Sequence, residues 1–532
     1  MSRPFNRFAA PFAPLAELDR SARRSIAAAL MAVFIGALDL TVIATLLPGI
    51  VGDLQINTAD IDRYVWIVNG YLLAYVVSIP IVGRASDLVG RQAAFAGSLA
   101  IFLVGSIWCA VAPSMGWLIA GRAVQGVGGG ALLPVAMALV GDLLPAHRRA
   151  AALGLVGAVD TLGWVLGPLW GALIVSVAGT HAAWRWVFIL NLPLGLIAFL
   201  AIRRTTSYRR VTRPGHIQWR RRLDLVGVML LSICLLAINL GLSAGGEVGG
   251  APTGGRALGG TRNPLSEYTF RLIAVGIVFG AIFVWWERRV KYPLLPLRLF
   301  TRRRFSWAIL ANFMAGASLI VAMVDVPVVV TLVVDPAQIS TVTALMMAPF
   351  TLLMAILSLG GGMLVARQGE RPVAIAGLIL VAIGYAALWL GLHSGDYVGM
   401  TPGLALAGAG FGMVVAPIGA TVIDAAPPEE RGIAAGLTLV FRLLGMTVSI
   451  SALTSLGVAR LQTLVGDLEA IVQLPGETTA EFFARQSEFL YTTVIPLTLQ
   501  VVRETFLLAG VIALVAIVPV WAMGERRAGA SD

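Results

Sequence analysis

The sequence predicts an all-α membrane protein that crosses the bilayer many times. Three observations lead to this prediction: the hydrophobicity of the chain, the length of its apolar runs, and the absence of strand-like alternation. Of its 532 residues, 58% are hydrophobic and 13% are charged, which is too apolar for a soluble protein of this length. Apolar runs of about 20 residues, long enough to cross ~30 Å of hydrocarbon, recur along the chain. No series of alternating segments of ~10 residues, typical of a membrane barrel, is found, so the spans are expected to be helices.

We count fourteen apolar runs. They lie near residues 26–50, 63–82, 92–112, 115–143, 150–178, 183–202, 223–243, 269–287, 305–334, 340–366, 371–393, 399–424, 430–458 and 494–524. The first run lacks a small-residue cleavage site and is too long for a signal peptide, so we expect it to be retained. An even number of spans places both termini on one side, and most Lys and Arg residues lie on that side. The positive-inside rule therefore predicts cytoplasmic termini. The strong preference for arginine over lysine indicates a GC-rich bacterial genome, so we expect a bacterial inner membrane.

The spans divide into two six-helix halves with a pair of helices inserted between them. The stretch GRASDLVGRQ after the second span is echoed by GGMLVARQGERP after the tenth, which indicates an internal repeat. The predicted organisation is, in order, a cytoplasmic N-terminal segment (1–25), the N-terminal half (26–202), Arg-rich linkers with the two inserted transmembrane helices (203–304), the C-terminal half (305–524) with a periplasmic helical hairpin at about 459–493, and a cytoplasmic tail (525–532).

The composition argues against several classes of function. The net charge of +11 comes from arginines near the membrane edges, which set topology and meet anionic headgroups rather than nucleic acid. The two cysteines lie in different spans, and the four histidines lie in predicted loops without metal-ligand spacing. The chain also lacks a phosphate-binding glycine loop. We therefore expect no cofactor, no metal and no nucleic-acid partner.

Two residues of opposite charge lie at similar depth in the first half. Asp39 is in the middle of the first run, in FIGALDLTVIATLLP, and Arg122 lies in the fourth, in RAVQGVGGGALLP. A charge at bilayer depth costs roughly 2.5–3.5 kcal/mol on insertion scales and so usually indicates a function. Burial disfavours the ionised form of a carboxyl and a nearby guanidinium favours it, so relative movement of the two changes proton affinity. A functional role for the two charges is one interpretation, and a static buried ion pair is the alternative.

Three further charges fall inside predicted spans. Asp160 on span five and Arg442 on span thirteen both lie near the middle of the membrane, in opposite halves. We expect them either to form an inter-half pair that opens and closes or to find separate partners within their own halves. Asp325 lies towards the outer side of span nine, where capping or hydrogen bonding beside Pro327 and titration are both open interpretations.

Glycine-rich motifs occur in two loops and one span. The motif after span two combines glycines for a tight turn with a charged pair for a latch: Gly83, Asp87, Gly90 and Arg91. The copy after span ten keeps glycines and arginines: Gly362, Arg367, Gly369 and Arg371. It has Ala366 in place of the acid, which predicts a weaker latch. Span five carries a run of small residues for close helix packing around a proline that interrupts the helix: Gly163, Gly167, Pro168 and Gly171.

Two apolar stripes continue beyond the membrane on either side of Pro475-Gly476. The first includes Leu461, Leu464 and Leu468, and the second includes Phe482, Phe483 and Phe489. We expect the two stripes either to bury each other in a helical hairpin or to form an apolar platform that guides substrate or docks a partner.

The loop motif after span two resembles the signature of the major facilitator superfamily, and the motif on span five resembles its antiporter signature. Together with fourteen spans and LDLTVIATLLP on the first, they are similar to the fourteen-helix drug:proton antiporter branch. The long outer extension is most similar to the mycobacterial triacylglyceride exporters of that branch, which work beside a periplasmic lipoarabinomannan-carrier lipoprotein. The resemblance implies the major facilitator fold, energy from a proton gradient, and a role for Asp39 and Arg122 in proton coupling.

The resulting expectation is a secondary active transporter and not an enzyme. It would export apolar, triacylglyceride-like lipids from the inner membrane toward the periplasm by alternating access, and multidrug efflux of amphipathic drugs or dyes by proton antiport is the alternative. Expected partners are membrane lipids and a periplasmic lipid-carrier lipoprotein, and the chain is expected to be a monomer. An enzyme would need a nucleophile with a base, or a metal cluster, at one membrane depth. A passive channel does not account for the ordered motifs.

Overall fold

The computed structural model describes residues 20–54, 65–144, 146–178, 183–204, 224–246, 268–335, 338–392, 398–465 and 478–524, and the regular secondary structure within these ranges is helical. We number the helices that carry the apolar runs α1 to α14. They are α1 (Arg20–Asp53), α2 (Val65–Val89), α3 (Arg91–Ala110), α4 (Met115–Leu143), α5 (Ala146–Ala178), α6 (Ala183–Arg203), α7 (Leu225–Gly246), α8 (Thr269–Glu287), α9 (Arg303–Val333), α10 (Ile339–Gln368), α11 (Glu370–Gly391), α12 (Thr401–Ala425) and α13 (Arg431–Val465). The last, α14, consists of Thr479–Phe489, Ile495–Val515 and Ile517–Ala522, with a π-helical turn at Leu490–Val494 after its first segment.

The number of spans agrees with the sequence. Within the described ranges, thirteen helices are long and apolar enough to cross a membrane, and α5 adds a fourteenth as two segments bent by 46°. The predicted all-α fold of fourteen spans is therefore confirmed. Helix boundaries differ at several places, because polar residues extend helices past the hydrocarbon: α1 begins at Arg20 and not near residue 26. Residues 466–477, into which the first outer stripe was predicted to continue, lie outside the described part.

The helices form two bundles, each with its own main apolar cluster, and the first cluster extends across the seam to second-half residues such as Ile423 and Leu439. In the first, α1 to α6 surround buried side chains that include Phe95 and Phe102, and in the second, α9 to α14 surround Phe350 and Phe506. The inserted helices α7 and α8 pack against each other, and α7 also packs against α2 and α13. The inserted pair therefore contacts both halves.

The halves meet mainly along α2 with α13 and α5 with α10, with further contacts of α4 with α13 and α5 with α12. Glycines of both loop motifs lie at these seams. A Cβ at Gly83 would be 2.8 Å from the carbonyl oxygen of Gly432, and a Cβ at Gly362 would be 2.7 Å from that of Ala150. Both motif glycines thus allow backbones of opposite halves to approach closely.

A buried carboxylate shapes the connection from α8 into the second half. Glu287 is 4% exposed, and its oxygens accept the backbone N–H groups of Leu294 and Leu295 at 3.2 Å each. The neighbouring Trp286 Nε1 donates to Asp224, just before α7, at 2.8 Å. These bonds fold the Arg-rich linker back onto the inserted pair, before the short helix Arg298–Thr301 leads into α9.

Close packing between α3 and α4 generates a stability prediction. A Cβ at Gly105 would be 2.5 Å from the backbone nitrogen of Gln125, whereas a Cβ at Gly97, on the same helix, has nothing within 4 Å. We expect Gly105→Ala to destabilise the protein by about 1–3 kcal/mol through overpacking, and Gly97→Ala to be neutral or slightly stabilising through helix propensity. Thermal unfolding of both purified variants in detergent measures the difference. Equal melting temperatures would contradict this packing.

Candidate functional site

The Asp39 carboxylate on α1 lies at the centre of a buried polar network. It is 0% exposed. Arg122 Nη1 donates to its Oδ2 at 2.5 Å, Gln125 Nε2 donates to its Oδ1 at 2.9 Å, and Asn191 Nδ2 donates to the same Oδ1 at 2.7 Å. Donors from α4 and α6 therefore converge on an acid of α1. The structure brings the two predicted residues, Asp39 and Arg122, into direct contact.

The Arg122 guanidinium is fixed from several sides. It lies over the Tyr71 ring at 4.3 Å from the centroid, and its Nε donates to the carbonyl of Ile67 at 3.4 Å. Its Nη1 also donates to Gln125 Oε1 at 2.7 Å, so the guanidinium has a second acceptor beside Asp39. Its buried Nη2 has no hydrogen-bond partner among the described residues. The guanidinium is thus fixed by its neighbours, while its Nη2 donor group has no acceptor among the described residues.

Sequence reasoning missed the neutral members of this network. Gln125 bridges Asp39, Arg122 and Ser106, to whose Oγ it donates at 2.9 Å, and Asn191 is 3% exposed. The sequence does point to both residues. Gln125 follows Arg122 by three residues and so shares its helix face. Asn191 interrupts the apolar stretch FILNLPL of α6. Polar residues in such positions need partners when they are buried.

The glycine–proline motif of α5 packs against α1. A Cβ at Gly163 would be 2.6 Å from Ala37 Cβ, and a Cβ at Gly167 would be 2.9 Å from the Leu38 carbonyl oxygen. Gly171, one turn further, is also buried. The bend of α5 falls between Trp164 and Leu169, a region that includes Pro168.

Thr41 compensates for the proline. In a regular helix the Trp164 carbonyl would accept the N–H of residue 168, but proline has none. Thr41 Oγ1 of α1 donates to that carbonyl at 3.0 Å instead. The bend is therefore stabilised by a hydrogen bond from the neighbouring helix.

Charged side chains at one end of the molecule close the seam between the halves. We call this end, where the α2–α3, α4–α5, α10–α11 and α12–α13 connections lie, the basic face. Asp87 accepts the backbone N–H groups of Gly432 and Ile433 at 2.9 and 3.0 Å, and so caps α13 of the opposite half. It also pairs with Arg91, which follows Gly90, a glycine with φ of +96°. The first loop motif thus forms a latch between halves.

A second set of charges crosses the same seam. Asp142, at the end of α4, pairs with Arg431 at 3.1 Å and with Arg91 at 3.0 Å, and Asp424, at the end of α12, pairs with Arg149. Sequence reasoning missed these residues. The signal is the repeated pattern D-x-x-P-x-x-x-R at 142–149 and 424–431, whose acids and arginines pair reciprocally between the copies.

The second loop motif does not form an equivalent latch. Gly369 turns the chain with φ of +88°, Arg371 lies 4.9 Å from the Trp521 ring centroid, and Arg367 is exposed. Near this turn the acid Glu370 pairs with Arg304, and both belong to the second half. These contacts stay within one bundle.

Three intramembrane charges remain: Asp160 and Arg442, which face each other across the halves, and Asp325, which lies in the second half. Arg442 Nη2 lies 4.0 Å from Asp160 Oδ2, which is an inter-half contact. Asp325 accepts a hydrogen bond from Thr505 of α14. Among the described residues, the hydrogen bonds and ion pairs between the halves lie level with Asp160 and Arg442 or closer to the basic face.

The outer hairpin is partly described. Leu461 is buried and Leu464 is half-buried, while Leu468 lies outside the described residues. Beyond the Thr478–Glu481 capping box that begins α14, Phe482 and Phe489 are half-buried and Phe483 is 57% exposed. Whether the two stripes bury each other stays a prediction.

Comparison with known proteins gives the family. The Major Facilitator Superfamily profile matches residues 29–450. The chain belongs to this superfamily. It is 36% identical over 473 residues to the triacylglyceride transporter of Mycobacterium tuberculosis, covering 85% of this chain and 86% of that protein. It is 34% identical over 517 residues to the triacylglyceride transporter of Mycolicibacterium hassiacum, covering 94% and 92%.

Solved structures agree on the fold. The transporter superposes on the proton:xylose symporter bound to 6-bromo-6-deoxy-D-glucose with a TM-score of 0.61 and 14% identity, over 95% of this chain and 96% of that one. With the human organic anion transporter the TM-score is 0.53 at 15% identity, over 92% and 99%. The predicted major facilitator fold is confirmed, as is a membrane transporter rather than an enzyme.

The basic-face charges generate a prediction about conformation. Asp142→Asn removes an acid that pairs across the halves, whereas Glu370→Gln removes one that pairs within a half. We expect the first change to open the basic face, because Arg91 and Arg431 lose their shared partner. Spin labels at Val89 and Glu429, one on each half, should report longer distances for Asp142→Asn than for wild type. Equal distances in Asp142→Asn and Glu370→Gln would show that the crossed pairs do not hold the face closed.

Proposed function

We propose that this transporter exports apolar, triacylglyceride-like lipids from a bacterial inner membrane toward the periplasm, driven by inward proton flow. Relatives named triacylglyceride transporters, which match most of the chain, support the substrate class. The buried Asp39–Arg122 pair is the observation that supports proton coupling. Such a pair contributes little to stability once its desolvation is counted, and intramembrane acids are typical of proton relays.

The proposed orientation places the basic face and both termini in the cytoplasm. The arginines of the latch, including Arg91, Arg149 and Arg431, lie at that face, and the positive-inside rule supports this side. In this orientation the described conformation is closed to the cytoplasm. Alternating access then requires that the crossed ion pairs break when the opposite conformation forms.

A proton on Asp39 would change the forces between α1 and α4. The protonated carboxyl loses its charge-assisted bond from Arg122, and Gln125 Oε1, already 2.7 Å from Nη1, remains to hold the guanidinium. Helix α4 then becomes free to shift against α1. The same helix ends at Asp142 in the basic-face latch, so its movement reaches the seam. A proton drives this change because it binds the two states with different affinity.

We also propose that the outer end of α14 transfers lipid to a periplasmic lipid-carrier lipoprotein. Phe483, Leu490 and Tyr491 are 57%, 41% and 67% exposed there. Contiguous exposed apolar side chains outside a membrane typically mark an interaction surface. The transporter acts as a monomer in this proposal and needs no bound cofactor, since the proton gradient supplies the energy.

The coupling residue is tested by reconstitution. Asp39→Asn and a control, Asp335→Asn, which neutralises an exposed acid, are compared in proteoliposomes with an imposed pH gradient. We expect Asp39→Asn to lose gradient-driven movement of labelled triacylglyceride while it retains exchange of lipid at equal pH, and the control to keep both. Retained exchange shows that the variant is folded.

Two outcomes would contradict the proposal. Gradient-driven lipid movement by Asp39→Asn at the wild-type rate would remove Asp39 from the coupling step. Gradient-driven efflux of an amphipathic dye by wild type, without triacylglyceride movement, would instead support multidrug efflux.

The Asp160–Arg442 contact supports a second prediction. If this inter-half pair stabilises one conformation of the cycle, Asp160→Arg and Arg442→Asp should each reduce transport strongly, because each places two like charges together in a poorly solvated site. The double variant should recover part of the activity. The same exchange at the exposed pair Arg460–Glu504 serves as control and should have little effect, since surface pairs contribute about 0–1 kcal/mol. No recovery in the double variant would argue for separate partners.

A further inference from the structure

An apolar groove of about 350 Å³ lies between α1, α5 and α6 of the first half. Its lining comes from all three helices, for example Leu38 of α1, Leu169 of α5 and Leu194 of α6. Asn191 is the single polar residue among those that line it. The latch and the seam between the halves lie elsewhere, and the Asp39 network reaches the groove through Asn191.

The groove opens towards the lipid. Its wall residues Leu169, Leu173 and Leu194 are 51%, 53% and 40% exposed. They lie on helices that cross the membrane, so the surroundings that meet these side chains are hydrocarbon. An apolar groove in contact with lipid tails fits an acyl chain.

The motif on α5 gives the groove its shape. Leu166 precedes Pro168, while Leu169, Trp170 and Leu173 follow it, and all four line the groove. The wall therefore spans the 46° bend. The Thr41 bond to the Trp164 carbonyl holds this wall against α1, which forms the other side.

The chemistry of the lining distinguishes between classes of lipid. A phospholipid headgroup needs a cation or several donors, and no charged residue is among those that line the groove. The Asn191 amide is neutral and donates to Asp39 at 2.7 Å. An uncharged, ester-linked lipid meets these conditions. Because Asn191 lines the groove and donates to Asp39, only this side chain would separate a bound acyl chain from the proposed proton site.

We propose that this groove binds one acyl chain of the neutral lipid substrate at the membrane-facing surface of the first half. The proposal rests on the proposed function for the identity of the lipid, but not on proton coupling. The groove thereby becomes a substrate site outside the seam between the halves, next to the Asp39 network.

Photocrosslinking of the full-length protein in proteoliposomes tests this site. The probe is a triacylglyceride with a diazirine in one acyl chain, and adducts are mapped by mass spectrometry. We expect adducts on the α5 and α6 residues of the groove, competed by unlabelled triacylglyceride and not by phosphatidylcholine. Leu194→Trp, which fills the groove, should reduce them about tenfold, equivalent to ~1.4 kcal/mol of binding. Ile197→Trp, at a 58% exposed position of α6 that does not line the groove, should leave them unchanged.

Three outcomes would overturn the proposal. Adducts spread evenly over the membrane-facing surface, or equal labelling of Leu194→Trp and Ile197→Trp, would show that the groove is not a site. Competition by phosphatidylcholine would show an ordinary annular phospholipid. The same labelling in Asp39→Asn separates the two proposals: groove adducts that persist there show the site even if proton coupling fails.

Discussion

Much of this structure depends on one constraint, the burial of a carboxylate and a guanidinium together, each of them 0% exposed. The attraction between two such charges does not by itself repay their desolvation. The fold supplies the difference with hydrogen bonds: Asp39 accepts from three side chains, and Arg122 has a backbone acceptor, an amide oxygen and an aromatic face. Because these partners come from several helices, the pair also fixes how those helices pack. In the proposed mechanism, a change in charge at this point would therefore act on every helix that contributes a partner.

Helix α5 connects the other parts of the proposed mechanism. It begins near Arg149, in a crossed ion pair with the second half, carries Asp160 opposite Arg442 near its middle, and bends near Pro168 against α1. Its Gly154 lies at the seam, where Ser358 of α10 donates to the Gly154 carbonyl at 3.0 Å. One helix thus contacts the second bundle along its first half and the Asp39 helix along its last. In the proposed transport cycle, movement between the bundles is therefore expected to shift α1 as well.

The sequence predicted what hydrophobicity and local spacing determine, and missed what depends on pairing between distant segments. The depths of Asp39 and Arg122 followed from counting residues along two spans, and their charge made them conspicuous. Gln125 and Asn191 are neutral, so insertion into lipid penalises them less and they attracted no notice. Asp142, Asp424, Arg149 and Arg431 lie at membrane edges, where charges ordinarily set topology. Their crossed pairing follows only from the way the two halves pack, although the repeated D-x-x-P-x-x-x-R spacing was visible in the chain.

The proline of α5 has a different consequence from the one its position in the sequence indicates. A proline in a membrane helix is an obvious candidate for a hinge, since it removes one hydrogen bond of the helix. Here Thr41 donates to the Trp164 carbonyl that the proline leaves without a partner, and Gly167 allows α1 to approach closely. The Trp164 carbonyl at the bend therefore has a hydrogen-bond donor on α1. Separating α5 from α1 would leave that carbonyl without a partner. The outer part of α5 and the neighbouring part of α1 are expected to move as one unit. In the proposed transport cycle, the α5–α10 contact is then expected to change together with the crossed ion pairs, while the groove walls formed by α1 and α5 persist.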